Sequence, residues 1–442
     1  MKKLLFLSLC CSLISVSAAD NAGISTEDVK SLNADMKATQ PVTAGNLLRN
    51  DFEEFRKERG IESYGTPNAK GTVYFTGEAS VSINVNDARF IKSRSMAYQK
   101  AYQDAVAQLI MDRVGKEITK TIREESGDDS SNAEEPPANL NEAQSLLRKK
   151  IDALEEAIVD KQLEKHGVDP KEFADKGIAA KKELYRNSIL KSSMKKAFGH
   201  AAGCLVVQTF EAKADDGNYA VGVVLRSDEI CNDVARSISK KQRPTLARSS
   251  GISINDALPT DEEMLSCFGV RLFFDENGEP ALLSFGQWGS NVRKGANTRM
   301  IDRAERNALI QAENLANSQL TDFINSTIRV DESSTLGEEE VSQMVFLKDG
   351  TAKREDFVNT IDKWSKKSVT VGFDSMIGRS TVYRKVLTHP TNHRVAVVVR
   401  CWSFGKLDAE KNVLEGKKKS SNNTPAIKQE KHGVKRGKVY DF

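Results

Sequence analysis

The chain has 442 residues, of which 39% are hydrophobic and 29% charged, and its net charge is +3. That length accommodates two or three domains, and the polar balance points to solvated segments beside the packed ones. Removing Lys2 and Lys3 with a leader takes the +3 down to +1, which gives no general reason to propose nucleic acid as a partner. Met1-Lys2-Lys3 precedes an apolar run from Leu4 to Val16 and the small residues Ser17-Ala18-Ala19. This is the pattern of a cleavable secretory signal over residues 1–18, cut near Ala18/Ala19. The run is shorter than the roughly 20 residues that span a bilayer. The expected location is therefore periplasmic.

Residues 19–71 read as a polar lead-in with one short helix near Leu47 to Arg59. From 72 to 85 the chain alternates, with Ala79, Val81, Ile83 and Val85 on one face, the period of a half-buried strand. The period then becomes helical from Ala88 to about Arg123. Ala97, Ala101 and Ala105 stand four apart, a stripe that lets a helix approach a sheet closely. An acidic Ser- and Pro-containing stretch from Glu124 to Pro137 reads as a loop. Leu147, Ile151, Leu154 and Ile158 form a two-helix seam, and Gly167 and Asp169-Pro170 mark a break and restart. An insertion spanning 126–200 is thus expected to be a helical hairpin that projects from the first domain.

Leu205 to Ala212 and Tyr219 to Arg226 read as a β-hairpin around Asp215-Asp216-Gly217-Asn218, followed by a helix from Asp228 to Ser239. Residues 241–265 read as a basic, polar linker. A second hairpin, Val270 to Phe274 with Ala281 to Trp288, leads to a long helix from Ala296 to Ile328. Val369 to Phe373, Val382 to Leu387 and Val395 to Trp402 are strand-like.

Ala97, Ala101 and Ala105 align with Ala304, Ala308 and Ala312, and Tyr219–Arg226 aligns with His393–Arg400. The expectation is an α+β protein of two related domains, 72–240 and 266–405. Each is a long Ala-rich helix packed on an antiparallel sheet, and a basic disordered tail follows over 406–442.

Chemistry-bearing patterns are few. Four cysteines lie beyond the signal, Cys204, Cys231, Cys267 and Cys401, an even count that permits two disulfides in an exported chain, with buried unpaired thiols as the alternative. His389 and His393 flank Pro390-Thr391-Asn392, where a plain polar turn is a simpler reading than a metal site. Asp275 to Glu279 lacks the acid spacing of a calcium loop and reads as a turn. Arg226 and Arg400 end matching strands. They either receive an anion or, as is usual for such residues, pair with a carboxylate or cap a helix end. No GxSxG, P-loop or GxGxxG sequence occurs, and no catalytic residue, metal or cofactor is expected. From Lys417 to Lys438 eight basic residues face one acid, Glu430, so the tail could touch anionic lipid. The terminal Tyr440-Asp441-Phe442 offers Tyr440 and Phe442 for docking on a partner's sheet edge.

The signal, the strand leading into an Ala-striped helix and the closing Val223-Val224-Leu225-Arg226 strand are similar to a family of bacterial envelope proteins. That family includes small membrane-associated lipoproteins and the N-terminal domain of the periplasmic flagellar assembly protein T. Residues 72–110 with 219–226, and 281–316 with 393–400, carry the resemblance. It implies a scaffold role without catalytic residues. The chain departs from it in having Leu9, not a small residue, before Cys10, and in its helical insertion. Otherwise the chain reads as a domain of unknown function. The functional expectation is a non-enzymatic scaffold or binding module of the cell envelope, with an envelope protein or a second copy as partner. A ligand site in the interdomain crevice and peripheral membrane attachment through the tail are the alternatives.

Overall fold

A computed structural model describes residues 43–126, 139–171, 173, 177–200, 203–244, 248, 250–292, 295–332 and 378–414. The signal, most of the acidic loop, the strand expected at Val369–Phe373, and Tyr440 and Phe442 lie outside the described residues.

Thr43 caps the first helix, α1 (Ala44–Glu58), by accepting a hydrogen bond from the Asn46 amide at 3.2 Å. Strand β1 (Val73–Val81) leads to α2 (Phe90–Ser126), a helix of 37 residues. Three helices follow, α3 (Leu140–Asp152), α4 (Glu156–Lys165) and α5 (Gly177–His200). The hairpin β2 (Leu205–Lys213) and β3 (Tyr219–Ser227) comes next, then α6 (Glu229–Ser239), capped by Asp228. Two single turns, α7 (Ile254–Ala257) and α8 (Asp261–Met264), precede the hairpin β4 (Gly269–Phe274) and β5 (Pro280–Gly289). The long α9 (Thr298–Glu332), the hairpin β6 (Arg379–Thr388) and β7 (Arg394–Ser403), and α10 (Phe404–Leu414) complete the chain.

The fold is α+β. One sheet has the order β1-β3-β2, the other β4-β5-β7-β6, and every pairing is antiparallel. Each sheet carries a long alanine-rich helix. A Cβ added at Gly77 of β1 would lie 1.9 Å from the Ala101 carbonyl oxygen of α2. One added at Gly286 of β5 would lie 1.9 Å from the Ala312 oxygen of α9. Only glycine admits a helix backbone this close, and the small alanines opposite are needed for the same reason. These contacts set Ala101 opposite Ala312, one helical turn further along than the sequence alignment, which set Ala101 on Ala308. Likewise Val223 faces Gly77 and Val398 faces Gly286, so the strands correspond one residue out of the alignment of Arg226 with Arg400.

Helix α2 has no exposed residue from Ala101 to Gly115, and its exposed residues change face between its start (Lys92, Met96, Lys100) and its end (Lys116, Lys120), which is why its pattern is weakly one-sided. Its central cluster contains Phe75, Val221 and Val223 of the first sheet and Leu283, Phe285, Val397 and Val399 of the second. Helix α1 covers the far face of the first sheet, with Leu48 and Phe52 over Gly222. Full burial of Leu48 contributes roughly 2 kcal/mol. The outer edge of β1 is blocked by hydrogen bonds from Gly65 N to Tyr74 O (2.8 Å) and from Gln108 to Thr76 O (2.5 Å). Asp104 also accepts from Glu78 N (3.3 Å).

Four expectations change. The insertion does not project from its domain: Leu147, Ile151, Val159, Leu163, Ile189 and Met194 belong to the central cluster beside α2. The expected seam breaks between α3 and α4, so Ile158 is exposed and Val159 takes the inward position. The linker 241–265 is held by chain contacts, with Arg248 N donating to Gly278 O and Ile252 N to Phe274 O, both at 2.9 Å, while Met264 and Leu265 enter the core. Finally, the tail is helical as far as Leu414, because Phe404 and Leu407 bury against α6 and α9 residues and Glu410 accepts from Gly378 N at 2.8 Å.

Candidate functional site

The most concentrated polar chemistry among the described residues lies where the two sheets meet around α2. Arg94 stands one turn before Ala97 on α2 and is completely buried. Its Nε donates to Glu211 on β2 at 2.9 Å, and its Nη2 donates to the other Glu211 oxygen. Nη1 donates to Gln287 Oε1 on β5 at 3.0 Å, and Nη2 also to Leu265 O at 2.6 Å. Four of the five guanidinium hydrogens are thereby used. The plane rests against Tyr98 and Phe268, whose rings stack at 3.7 Å.

Glu211 is equally occupied. Tyr219 of β3 donates to Oε2, and Tyr98 lies 3.1 Å from Oε1. Gln287 spends its amide on the Met264, Leu265 and Cys267 carbonyls at 2.8, 3.0 and 2.8 Å. Burial opposes charge on both partners, but their mutual attraction and hydrogen bonds win: Arg94 is raised and Glu211 lowered, so the pair stays ionised. Burial, then the Glu211 charge, pushes the phenols of Tyr98 and Tyr219 above their ordinary range.

The β6–β7 turn closes over this cluster. His389 Nε2 is 3.9 Å from Glu211, and Nδ1 lies 2.7 Å from the Thr391 hydroxyl. Burial, followed by the Arg94 charge, takes the His389 imidazole down to about 4, so the ring is neutral at pH 7. His393 Nδ1 is 2.9 Å from the same hydroxyl, and its Nε2 is 3.0 Å from the Asp87 carbonyl in the β1–α2 loop. The two histidines therefore flank a hydrogen-bonded turn, with Asn392 at φ 62°. No group of three metal-ligating side chains converges among the described residues.

The other sequence-selected residues fall elsewhere. Cys204, Cys231, Cys267 and Cys401 are buried free thiols, the second of the two readings that the even count left open. Each enters an apolar cluster as a small hydrophobe, with Cys231 among Val234 and Ile238 and the others in the central core. Burial pushes the Cys204 thiol up to about 12 and the Cys401 thiol up to about 11. Arg226 pairs with Asp228 beside it, whereas Arg400 reaches Glu313 on α9 at 3.1 Å. They sit on opposite kinds of sheet face and do not form a matched pair. Asp275 closes its turn by accepting from the Asn277 and Glu279 amides at 3.0 and 3.1 Å.

Arg94, Glu211, Gln287, Tyr98 and Tyr219 were not visible as a site in the sequence. The available signal was a polar side chain on an inward position: Arg94 in line with the alanine stripe, and Gln287 at the end of the apolar run from Ala281.

Residues 144–240, which span α4 to α6 and much of α3, match a family described as a domain of unknown function, DUF6844. No curated protein matches the chain. The fold is similar to the crystal structure of a hypothetical protein from Francisella tularensis, with a TM-score of 0.51 and 22% identity, over 82% of this chain and 91% of that one. At that identity the likeness speaks for the fold alone.

Proposed function

We propose that the chain is an exported, non-enzymatic scaffold or binding module of the bacterial cell envelope, acting in the periplasm after cleavage near Ala18/Ala19. One observation carries this reading. The place where the two halves meet, where a ligand crevice was the alternative, is filled by the chain's own Arg94, Glu211, Gln287, Tyr98 and Phe268, and their donors and acceptors are spent on one another. A cluster so occupied joins two halves; it does not hold a substrate.

An internal duplication is part of the proposal. The segments β1–α2–β2–β3 and β5–α9–β6–β7 pair in the same order, β1-β3-β2 and β5-β7-β6, and each seats its helix on one strand glycine. Such repeats supply two related surfaces, which suits bridging between partners. The likeness to envelope lipoproteins and to flagellar assembly protein T stays within this proposal. The basic tail is the second route to a partner, through anionic lipid.

The test is crosslinking in intact cells, followed by identification of what co-purifies with the full chain and with a chain ending at Leu414. An envelope protein or a second copy attached to both forms supports the scaffold. Capture only by the full chain moves the function to the tail, and recovery of neither partner removes the reading.

A further inference from the structure

The first turns of α9 bury one side and leave the other in solvent. Ala308, Ala312 and Ala316 are buried on the side of the second sheet. Away from it, Arg299, Arg303, Arg306 and Ile310 follow at spacings of four, three and four, the repeat that holds side chains on one stripe, and all four are exposed. Met300 flanks the stripe and is 61% exposed, and Ile310 is 48% exposed. Among the described residues no ion pair or hydrogen bond engages the three guanidinium groups. The acids of this part of the helix are used elsewhere: Glu305 pairs with Arg394 and Glu313 with Arg400, both on β7. Asp302 stands at the edge of the stripe and makes no ion pair among the described residues. The arginines are thus like-charge neighbours at i,i+4 and i,i+3, an arrangement that weakens a helix and that packing does not call for. Beside them Trp288 of β5 packs against the Ala308 cluster, and the exposed Lys92 of α2 lies over its ring at 5.9 Å.

We propose that this stripe of α9 is a docking face for an anionic phospholipid surface. Charge complementarity selects the occupant. Each guanidinium presents a fork of donors that matches phosphate oxygens, and none of the three is spent within the chain. At the helix rise the stretch from Arg299 to Arg306 is about 10 Å long. That is about one Debye length at 0.1 M salt, so the three charges act on one patch of headgroups. Met300 and Ile310, beside them, supply apolar side chains that enter the headgroup layer. The stripe runs along the outer side of a helix, not in a groove, and so meets a plane. A second copy is the wrong partner, because a two-fold contact through this face sets arginine against arginine. The contact belongs to the folded body and is separate from the basic tail. It does not rest on the scaffold reading: crosslinking in cells reads that one, and vesicle binding reads this one.

Co-sedimentation of the full chain with vesicles tests it at about 0.1 M salt, using equal parts of phosphatidylglycerol and phosphatidylcholine against phosphatidylcholine alone. The natural chain should bind the anionic vesicles far more tightly than the neutral ones. A basic residue held at an anionic surface strengthens binding roughly fivefold, so Arg299→Gln/Arg303→Gln/Arg306→Gln should weaken it roughly 100-fold with the circular dichroism unchanged. The leader and the tail are the same in both chains and cancel from the comparison. Arg299→Lys/Arg303→Lys/Arg306→Lys keeps the charge and should keep most of the binding. The single Gln changes, at roughly fivefold each, serve if the triple variant does not fold. Undiminished binding by the Gln variants would overturn the docking face, as would a Lys variant no better than the Gln one. Equal affinity for both kinds of vesicle, or none for the anionic ones, would overturn it as well. So would a dimer that forms without lipid and is lost in the Gln variant, which would give the stripe to a second copy.

Discussion

Replacing Arg94 by Met removes a buried cation while keeping most of its volume. Glu211 is left ionised with Tyr98 and Tyr219 still donating to it, and Gln287 Oε1 and Leu265 O each lose a donor. Breaking a buried pair from one side costs about 3–5 kcal/mol. The two remaining donors on Glu211 favour the lower end of that range, about 3 kcal/mol, and the stranded Gln287 Oε1 adds about 1 kcal/mol, while Leu265 O keeps the Gln287 amide. A loss of about 4 kcal/mol is a large part of the 5–15 kcal/mol typical of a folded protein. Equilibrium urea unfolding followed by circular dichroism reads it directly. The double variant Arg94→Met/Glu211→Gln should recover about 2 kcal/mol relative to the sum of the single changes, since it removes both charges together. A loss below about 1 kcal/mol for Arg94→Met, or strict additivity in the cycle, would refute the assignment of this pair as the joint between the halves.

Gly77→Ala and Gly286→Ala each drive a methyl into a helix carbonyl, so each should cost about 3 kcal/mol or more in the same assay; a neutral Ala at either site would contradict the close helix seating. His389 is protonated only near pH 4 in the folded chain but near pH 6.5 when exposed, so the unfolded chain binds the extra proton in between. The stability is present above about pH 6.5 and declines as pH falls toward about 4; after allowance for solvent screening the decline is about 1–2 kcal/mol. Adding His389→Gln should take this decline of about 1–2 kcal/mol out of the pH profile and leave the carboxylate part, and an undiminished decline would assign it elsewhere. The four thiols at Cys204, Cys231, Cys267 and Cys401 should be inert to a disulfide-exchange reagent in the native protein and all react on denaturation without reductant; fewer than four would reveal a disulfide.

Much of the element order was legible because local periodicity recorded it. The alternation around Val81 and the alanines four apart mark β1 and α2 in a single pass, and Asp215 to Asn218 marks the β2–β3 turn. The likeness of the two alanine-striped helices was visible in outline, but which alanine answers to which was not. A stripe of alanines aligns with itself at every turn, and only the single glycines at 77 and 286 fix which alanine sits over the strand. The break at Ala153–Glu155 shifted the apolar seam because hydrophobic spacing alone does not show where one helix ends and a second begins at a new angle. The Arg94 cluster was out of reach for a different reason. Its members are lone residues 117 and 193 positions apart, and sheet topology, not a motif, brings them together. Arg94 between Ser93 and Ser95 reads locally as a polar patch on a helix, whereas all three are buried.

The most direct measurement of the account's central claim is the intact mass of the protein recovered from the periplasmic and envelope fractions of the cells that make it. An exported scaffold should be found there without residues 1–18, its chain beginning at Ala19 and all four remaining thiols free. A full-length chain with Met1 to Ala18 intact, confined to the cytoplasmic fraction, would contradict it.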